Sequence, residues 1–507
     1  MAKNEKKHRY MSCAVPSGER AYEMIRWRFG GINVRDRIDT GEFTDLFGIS
    51  SEVDYMETDP PFVKHSVVST KYANPVQIEK FDRFILVLYL NAGGALMGDM
   101  IVEGLPITTV TISADNDFGA QKRSVVLFNV CDMEDDNIVA ATFKPTLLVF
   151  PDRKSFPATP TVGGSMVAYD LGETYPNLVV GTSFQGRVFG ADGERVYASE
   201  YNDYAGWELD TADASSASNA WVTVTQTNVR ADDVITGITV YNSHVVVFKK
   251  GYMHMVYGTE NPFRLVDVGE RGAVGSRAFA EVGGVLYFAS SGGIMAYDGA
   301  GIACISRNVI DADVEMDADT ILTGDARYLY VNNADVALRY DTAYGLWTRQ
   351  SLPMGLSEGM VRDISANNAS SHDVCILGTD GVVYMPDADT GGRWHAETDM
   401  MCLSRMDIRR IKKIEIMGEF DGCGSADGDA AFIRVFLLRT GEIFDAGRSR
   451  LIAKKIFDDG RSYFVLRSII RMSSDTGHRL YIDGNGSCRI TSIRMKVSYG
   501  GDLYGTE

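Results

Sequence analysis

Four stretches of this 507-residue chain carry residue types whose spacing could do chemistry. His395-Ala396-Glu397 matches the first half of the zinc-deaminase signature, in which the His ligates metal and the Glu moves a proton. The Pro-Cys-x-x-Cys half is missing from the sequence, so the triplet alone holds no zinc. Gly422-Cys423-Gly424-Ser425-Ala426-Asp427-Gly428 is glycine-rich and follows an apolar run. A dinucleotide cradle needs G-x-G-x-x-G opening a helix, and here another strand pattern follows, which predicts a hairpin loop. Asp311–Asp319 (DADVEMDAD) has the acid density of a calcium loop but lacks the central Gly and the terminal Glu of an EF-hand. It reads as a solvated connection. His244 and His254 flank one hairpin, where structural roles are expected. There is no HExxH, GxSxG or P-loop. With 68 Asp and Glu, no single carboxylate pair stands out. The expectation is therefore no catalytic set, no cofactor and no metal, and a protein that is not an enzyme.

The elements that would position any site are short strands. Arg187–Trp207 (RVFGADGERVYASEYNDYAGW) reads as strand, Asp192-Gly193 turn, strand, with Trp207 arriving to cover it. The same unit recurs at Val245–Gly258, Val285–Gly299, Tyr328–Asp341 and Asp373–Asp387, with turns starting at Asp192, Lys250, Gly292, Asn332 and Asp380. Spacings of 58, 42, 40 and 48 residues fit propeller blades. A β-sandwich is the competing pattern, but its turns come faster and without the longer beat. Phe84–Leu90, Ile107–Ile112, Ser124–Val130 and Thr146–Phe150 add one or two earlier blades. Near Trp394 the rhythm changes, and strands such as Ile411–Ile416 alternate apolar with charged residues, as half-exposed antiparallel strands do. The reading is mostly β: an N-terminal arm (1–50), a β-propeller (51–399) and a C-terminal β-sandwich (400–507).

Bulk properties narrow the partners. The net charge is −18, yet residues 1–37 carry +5 and residues 401–507 carry +4, so the stretch between them holds −27. An acidic body repels nucleic-acid phosphates and argues against a DNA clamp. Within the arm, Glu19–Phe29 reads as a short amphipathic helix stopped by Gly30-Gly31. Met24, Ile25, Trp27 and Phe29 form an apolar surface too small for a core of its own. They are the expected interface residues, docking on another subunit or partner. The alternative is that the arm closes the propeller of its own chain. Seven scattered cysteines without a CxxC pair read as free thiols in a reducing cytosol. The N-terminus lacks the apolar segment of a signal peptide, and the longest apolar run, seven residues at Phe84–Leu90, is too short to span a bilayer.

The wording of two segments resembles a family. Arg187–Ser199 and Glu281–Gly299, together with Phe29–Asn33 and the ending Val497–Leu503, are similar to the packaged-DNA-stabilisation, head-completion and tail-hub or nozzle proteins of short-tailed bacteriophages. The resemblance is clearest over 180–300 and involves no catalytic motif. It implies a structural virion protein of the neck or tail, made in the bacterial host cytoplasm. It further implies a homo-oligomeric ring, commonly sixfold, that docks on the portal–adaptor complex and other tail proteins. Such a ring retains packaged DNA and forms part of its exit channel, with no sequence-specific DNA contact. Two other classes compete: a receptor-binding tail propeller, for which loops such as Tyr201-Asn202-Asp203-Tyr204 would hold a ligand, and a propeller glycosidase with loop carboxylates.

Overall fold

Continuous apolar runs, rather than alternating ones, mark strands covered on both faces. The computed structural model places these runs at the heart of a repeating architecture. It describes residues 22–499 apart from 27–28, 34–41, 53, 66–70, 133–141, 160–163, 173–174, 194, 208–219, 224–233, 259–262, 311–313, 399–407, 423–429, 440–441, 459 and 471–477. Two compact units emerge. Residues 62–387 form an inserted unit, and residues 1–61 with 388–507 form an N/C unit around the insertion point in sequence. Among the described residues no helix is long and apolar enough to cross a membrane, which leaves strands unaddressed.

The chain begins in the N/C unit with β1 (Tyr22–Arg26), β2 (Phe43–Phe47), β3 (Ile49–Ser51) and β4 (Met56–Thr58). The inserted unit then opens with β5 (Phe62–Lys64) and continues as four-stranded meanders. The first is β6 (Asn74–Lys80), β7 (Ile85–Leu90), β8 (Leu96–Ile101) and β9 (Thr108–Ser113). The second is β10 (Ser124–Asp132), β11 (Thr142–Phe150), β12 (Lys154–Pro157) and β14 (Tyr169–Asp170), while β13 (Ser165–Val167) runs parallel to β9. The third is β15 (Val180–Phe184), β16 (Arg187–Ala191), β17 (Arg195–Ala198) and β18 (Ala220–Thr223). The fourth is β19 (Ile235–Tyr241), β20 (His244–Lys249), β21 (Met253–Tyr257) and β22 (Arg264–Gly269). The fifth is β23 (Phe279–Val282), β24 (Val285–Ser290), β25 (Gly293–Tyr297) and β26 (Ile302–Cys304). The sixth is β27 (Ile321–Gly324), β28 (Tyr328–Asn332), β29 (Ala337–Asp341) and β30 (Leu346–Arg349). The seventh has only β31 (Val361–Ala366), β32 (Val374–Gly378) and β33 (Val383–Pro386) from its own stretch. Its fourth strand is β5, paired antiparallel with β33 from Tyr384↔Lys64 to Pro386↔Phe62.

All five hairpins read from the sequence join the second and third strands of a meander. The second strands β16, β28 and β32 are buried at every position, which is why they read as unbroken apolar runs. Gly193 takes φ +117° at the Asp192-Gly193 turn. Two hairpins share a polar brace: Tyr197 donates to Asp192 (2.6 Å) and Tyr384 donates to Asp380 (2.8 Å).

Each meander packs its faces on its two neighbours. Val76, Leu86 and Val110 meet Leu147 and Phe156; Val126 and Phe150 meet Leu178 and Val188; Phe189 and Val196 meet Ile238 and Val247. Phe248, Phe288, Leu329 and Trp347 share one cluster across the fourth, fifth and sixth meanders. Tyr328 and Tyr330 meet Ile364 and Ile376, and Ile78 and Val87 meet Cys375 and Leu377, so the seventh meander packs back on the first. A four-stranded sheet buries neither face alone, and among the described residues this succession gives each of the seven a neighbour on either side.

The N/C unit contains two antiparallel sets of strands, completed by β34 (Arg393–Thr398), β35 (Ile408–Phe420), β36 (Phe432–Arg439), β37 (Arg450–Ile456), β38 (Ser462–Ile469), β39 (His478–Asn485) and β40 (Cys488–Tyr499). One runs β3-β4-β40-β35-β38 and the other β2-β34-β39-β36-β37. Phe457, next to β37, stacks on Phe420 of β35 (4.6 Å) and meets Phe464 of β38 edge-on (5.3 Å).

Three sequence expectations differ here. The stretch read as a helix is in part β1: Tyr22–Arg26 pairs with Ser498–Arg494 on the edge of β40, and tertiary pairing overrides the helical spacing. The division at 50 and 400 becomes 61/62 and 387/388, because β1–β4 pair within the N/C unit and β5 completes the seventh meander. Asp483-Gly484-Asn485-Gly486 reads in sequence as a hairpin turn, but Asp483–Asn485 lie inside β39 and, of the four, only Gly486, at φ +97°, falls between β39 and β40. A Cβ on Gly484 would lie 2.3 Å from the Trp394 indole, so this glycine serves a close approach.

Candidate functional site

The first strands of the meanders carry polar residues at alternate positions, and these converge. Glu79 is on β6, Lys122 precedes β10, Arg277 precedes β23 and Asp363 is on β31. Arg277 pairs with Glu79, lies 3.4 Å from Asp363, and donates at 3.4 Å to the carbonyls of Ile78 and Ile364. Lys122 Nζ pairs with Asp363 at 3.0 Å. Asp363 is fully buried and also accepts the Ile78 N–H at 2.8 Å. Ser365 Oγ accepts the Lys80 N–H at 2.9 Å, and Arg362 donates to the Pro75 carbonyl (3.1 Å) and the Ala120 carbonyl (2.9 Å). Residues of the first, second, fifth and seventh meanders thus share one charged knot.

Further hydrogen bonds join first strands to neighbouring meanders. Gln77 Nε2 donates to the Arg123 carbonyl (2.8 Å), and the Gly181 N–H donates to Ser124 Oγ (3.0 Å). Thr236 donates to the Ala273 carbonyl (2.7 Å), and the Ala366 N–H donates to Thr323 (2.9 Å). Burial alone would lower the Arg277 guanidinium, but the Asp363 and Glu79 carboxylates outweigh it and hold the group above its ordinary value. Burial lowers Lys122, Arg277 adds to that, and Asp363 partly restores it. Cys375 sits beside the knot, its Sγ donating to the Ser365 carbonyl at 3.3 Å. Burial pushes its thiol up to about 12, which leaves little thiolate at neutral pH. The arrangement ties strands together and neutralises buried charge.

The residues singled out by sequence chemistry have structural partners. His395 Nε2 meets Asp45 at 2.9 Å, and its ring stacks between Phe47 (5.4 Å) and Tyr481 (5.3 Å). Glu397 pairs with Arg479 at 2.6 Å, with burial raising its carboxyl. Buried His254 meets Asp267 at 2.7 Å, and His244 meets the Asn242 carbonyl at 2.7 Å. Asp317 accepts from Thr320 (3.0 Å) and from the Asp319 N–H (3.1 Å), as a turn residue does. Most of the Gly422–Gly428 loop lies outside the described residues. Among the described residues no group of three or more His, Cys, Asp or Glu could hold a metal ion. Of the arm residues, Met24 and Ile25 stand opposite Lys496 and Met495 in the β1–β40 ladder, Trp27 lies outside the described residues, and Phe29 is buried by its own chain.

Glu79, Lys122, Arg277 and Asp363 escaped the sequence reading because no local spacing links them. The signal present was a polar residue at alternate positions of a short first strand, as in Val76-Gln77-Ile78-Glu79.

Charge also divides by unit. The inserted unit holds 40 acidic against 22 basic residues, a net −18, so the N/C unit is neutral overall.

No protein-family model and no curated protein matches the chain. Among solved structures it is similar to YCF48 bound to a D1 peptide, at 12% identity over 65% of this chain and 97% of that one, TM-score 0.37. It is also similar to the WD40 β-propeller domain of Doa1, at 10% identity over 64% and 97%, TM-score 0.37. A third is PorZ of Porphyromonas gingivalis, at 12% identity over 70% of this chain and 44% of that one, TM-score 0.32.

Proposed function

We propose that residues 62–387 are a seven-bladed β-propeller closed by β5, that the N/C unit is a β-sandwich, and that the protein is a non-catalytic structural component of a short-tailed phage neck or tail. In this reading several copies form a ring, sixfold by the family resemblance, that docks on the portal–adaptor complex and other tail proteins in the virion. The observation that carries it is the Arg277 knot. In a propeller the first strands face the axis, so a knot joining two of them to the residues just before two others fills the axis with paired side chains. The propeller is then a solid building block, and DNA passes through the lumen between copies. A net −18 on the propeller suits a lumen wall, because like charge keeps phosphates from adhering. The wording of Arg187–Ser199 and Glu281–Gly299 supports the phage assignment.

The test is assembly. Particles made without this protein should lose their DNA or lack a tail component, and adding the purified full chain should restore them. Particles that are complete without it would refute the reading. Retention of duplex DNA by the free protein at about 0.15 M salt would refute the lumen-wall role.

A further inference from the structure

The N/C unit exposes apolar side chains on two neighbouring terminal strands. β38 ends one sheet and β37 ends the other, and the Phe457–Phe464 contact sets them side by side. Along β38, Phe464 and Leu466 are buried while Tyr463, Val465 and Ile469 are 79%, 47% and 76% exposed. Ile456 and Leu451 of β37 and Ile443 before it are exposed too. Scattered apolar residues are ordinary on a surface, but five along one pair of terminal strands, with Ile443 before them, mark a contact surface.

Charge identifies the occupant. Residues 448–471 hold seven Lys/Arg against two Asp/Glu. Arg467, Arg461 and Arg448 pair with Glu415, Glu419 and Asp445, and Lys454 stands exposed on β37 beside them. Residues 1–21 carry five Lys/Arg against two acids, the same sign as the patch, and are disfavoured there. Two-fold pairing of β38 with its own copy would bring like-charged arginines together, which is also unfavourable. The inserted unit, at −18, has the complementary sign. We propose that the β37–β38 edge is a heterologous contact surface that docks on the acidic inserted unit of a second copy. A contact between two different surfaces of identical chains closes rings or builds filaments rather than two-fold dimers. The inference names the contact for the homo-oligomer proposed above and rests on that reading.

The experiment uses the full chain carrying a photo-crosslinking amino acid at position 463. Isotopically light and heavy copies are mixed so that only crosslinks between copies are scored. Crosslinks from 463 to residues 62–387 of the other copy are expected. Crosslinks to residues 1–21 or to 463 itself would overturn the proposal while leaving the oligomer intact. A wild-type chain that sediments as a monomer at all concentrations, with no crosslink between copies, would overturn both the contact and the ring. In parallel, Tyr463→Asp with Ile469→Asp should weaken self-association about ten-fold at low salt with an unchanged melting temperature, since both side chains are exposed. Raising salt from about 0.05 to 0.5 M should weaken wild-type association as well. Unaltered association of the folded double variant would overturn the proposal. Should that variant melt early, Lys454→Glu, at an exposed position, gives the second reading: unchanged association would count against the charge pairing.

Discussion

Replacing Arg277 with Ala should open the inserted unit where its seventh meander meets its first. The guanidinium is the group that reaches Glu79, Asp363 and the carbonyls of Ile78 and Ile364 together. Without it, the Asp363 carboxylate, fully buried, keeps Lys122 and the Ile78 N–H, but Glu79 loses its cation. Removing one partner of a buried pair costs about 3–5 kcal/mol, and the Glu79 side chain is 21% exposed, which puts the expectation near the lower figure, about 3 kcal/mol. For a unit of this size that is a fall of roughly 4 °C in melting temperature. Arg277→Lys keeps the charge without the fork and should recover only part of the loss. Native-state hydrogen exchange locates the effect. The Ile78 and Lys80 amides, bonded to Asp363 and Ser365, should lose protection along with Val361–Ala366. A loss below about 1 kcal/mol, or protection lost only in the fifth meander that carries Arg277, would refute the closing role of the knot.

Three further outcomes follow from the structure. Gly381 has φ +76°, and a Cβ there would lie 1.9 Å from the Tyr72 carbonyl oxygen, so Gly381→Ala should cost about 2–4 kcal/mol. Gly193→Ala, at φ +117° with open space, should cost about 1 kcal/mol, and urea unfolding compares the two. Burial, aided by Arg439 and Arg450 and opposed by the Leu438 carbonyl, holds His478 below its ordinary 6.5. The unfolded chain then binds a proton that the fold refuses, so stability is full above about 6.5 and falls as pH drops below it. His478→Gln should flatten that slope, read by hydrogen exchange in β39, because His65 of the inserted unit is also lowered by burial. Deleting residues 1–31 strips β1 from β40 and removes buried Phe29, so amides of β40 should lose protection. Full protection after the deletion would instead leave residues 22–31 free for a docking role.

The legible part of the fold was its second strands. Val245–Phe248 and Tyr328–Asn332 are buried on both faces, and that forces unbroken apolar runs any reader can find. The strand that completes the seventh meander was illegible for the opposite reason. Phe62–Lys64 is three residues long, and its partner lies more than 300 residues onward, so local pattern says nothing of the pairing. Glu79, Arg277 and Asp363 are ordinary charges in sequence and acquire meaning only when the first strands meet. His395-Ala396-Glu397 shows the reverse failure: a chemical spacing that the strand turns into two braces, one to Asp45 and one to Arg479. Tyr22–Arg26 reads as helix by composition and becomes a strand because the edge of β40 is there to receive it.

The proposed virion role is tested most directly by cryo-electron microscopy of the phage particle in which this protein is proposed to sit. A ring of copies at the neck or tail is expected, each with a seven-bladed propeller whose axis is filled by the Arg277–Asp363 knot. DNA density should run along the common axis of the ring. DNA threading the propeller's own axis, or single copies displayed at the particle periphery with no ring, would contradict it.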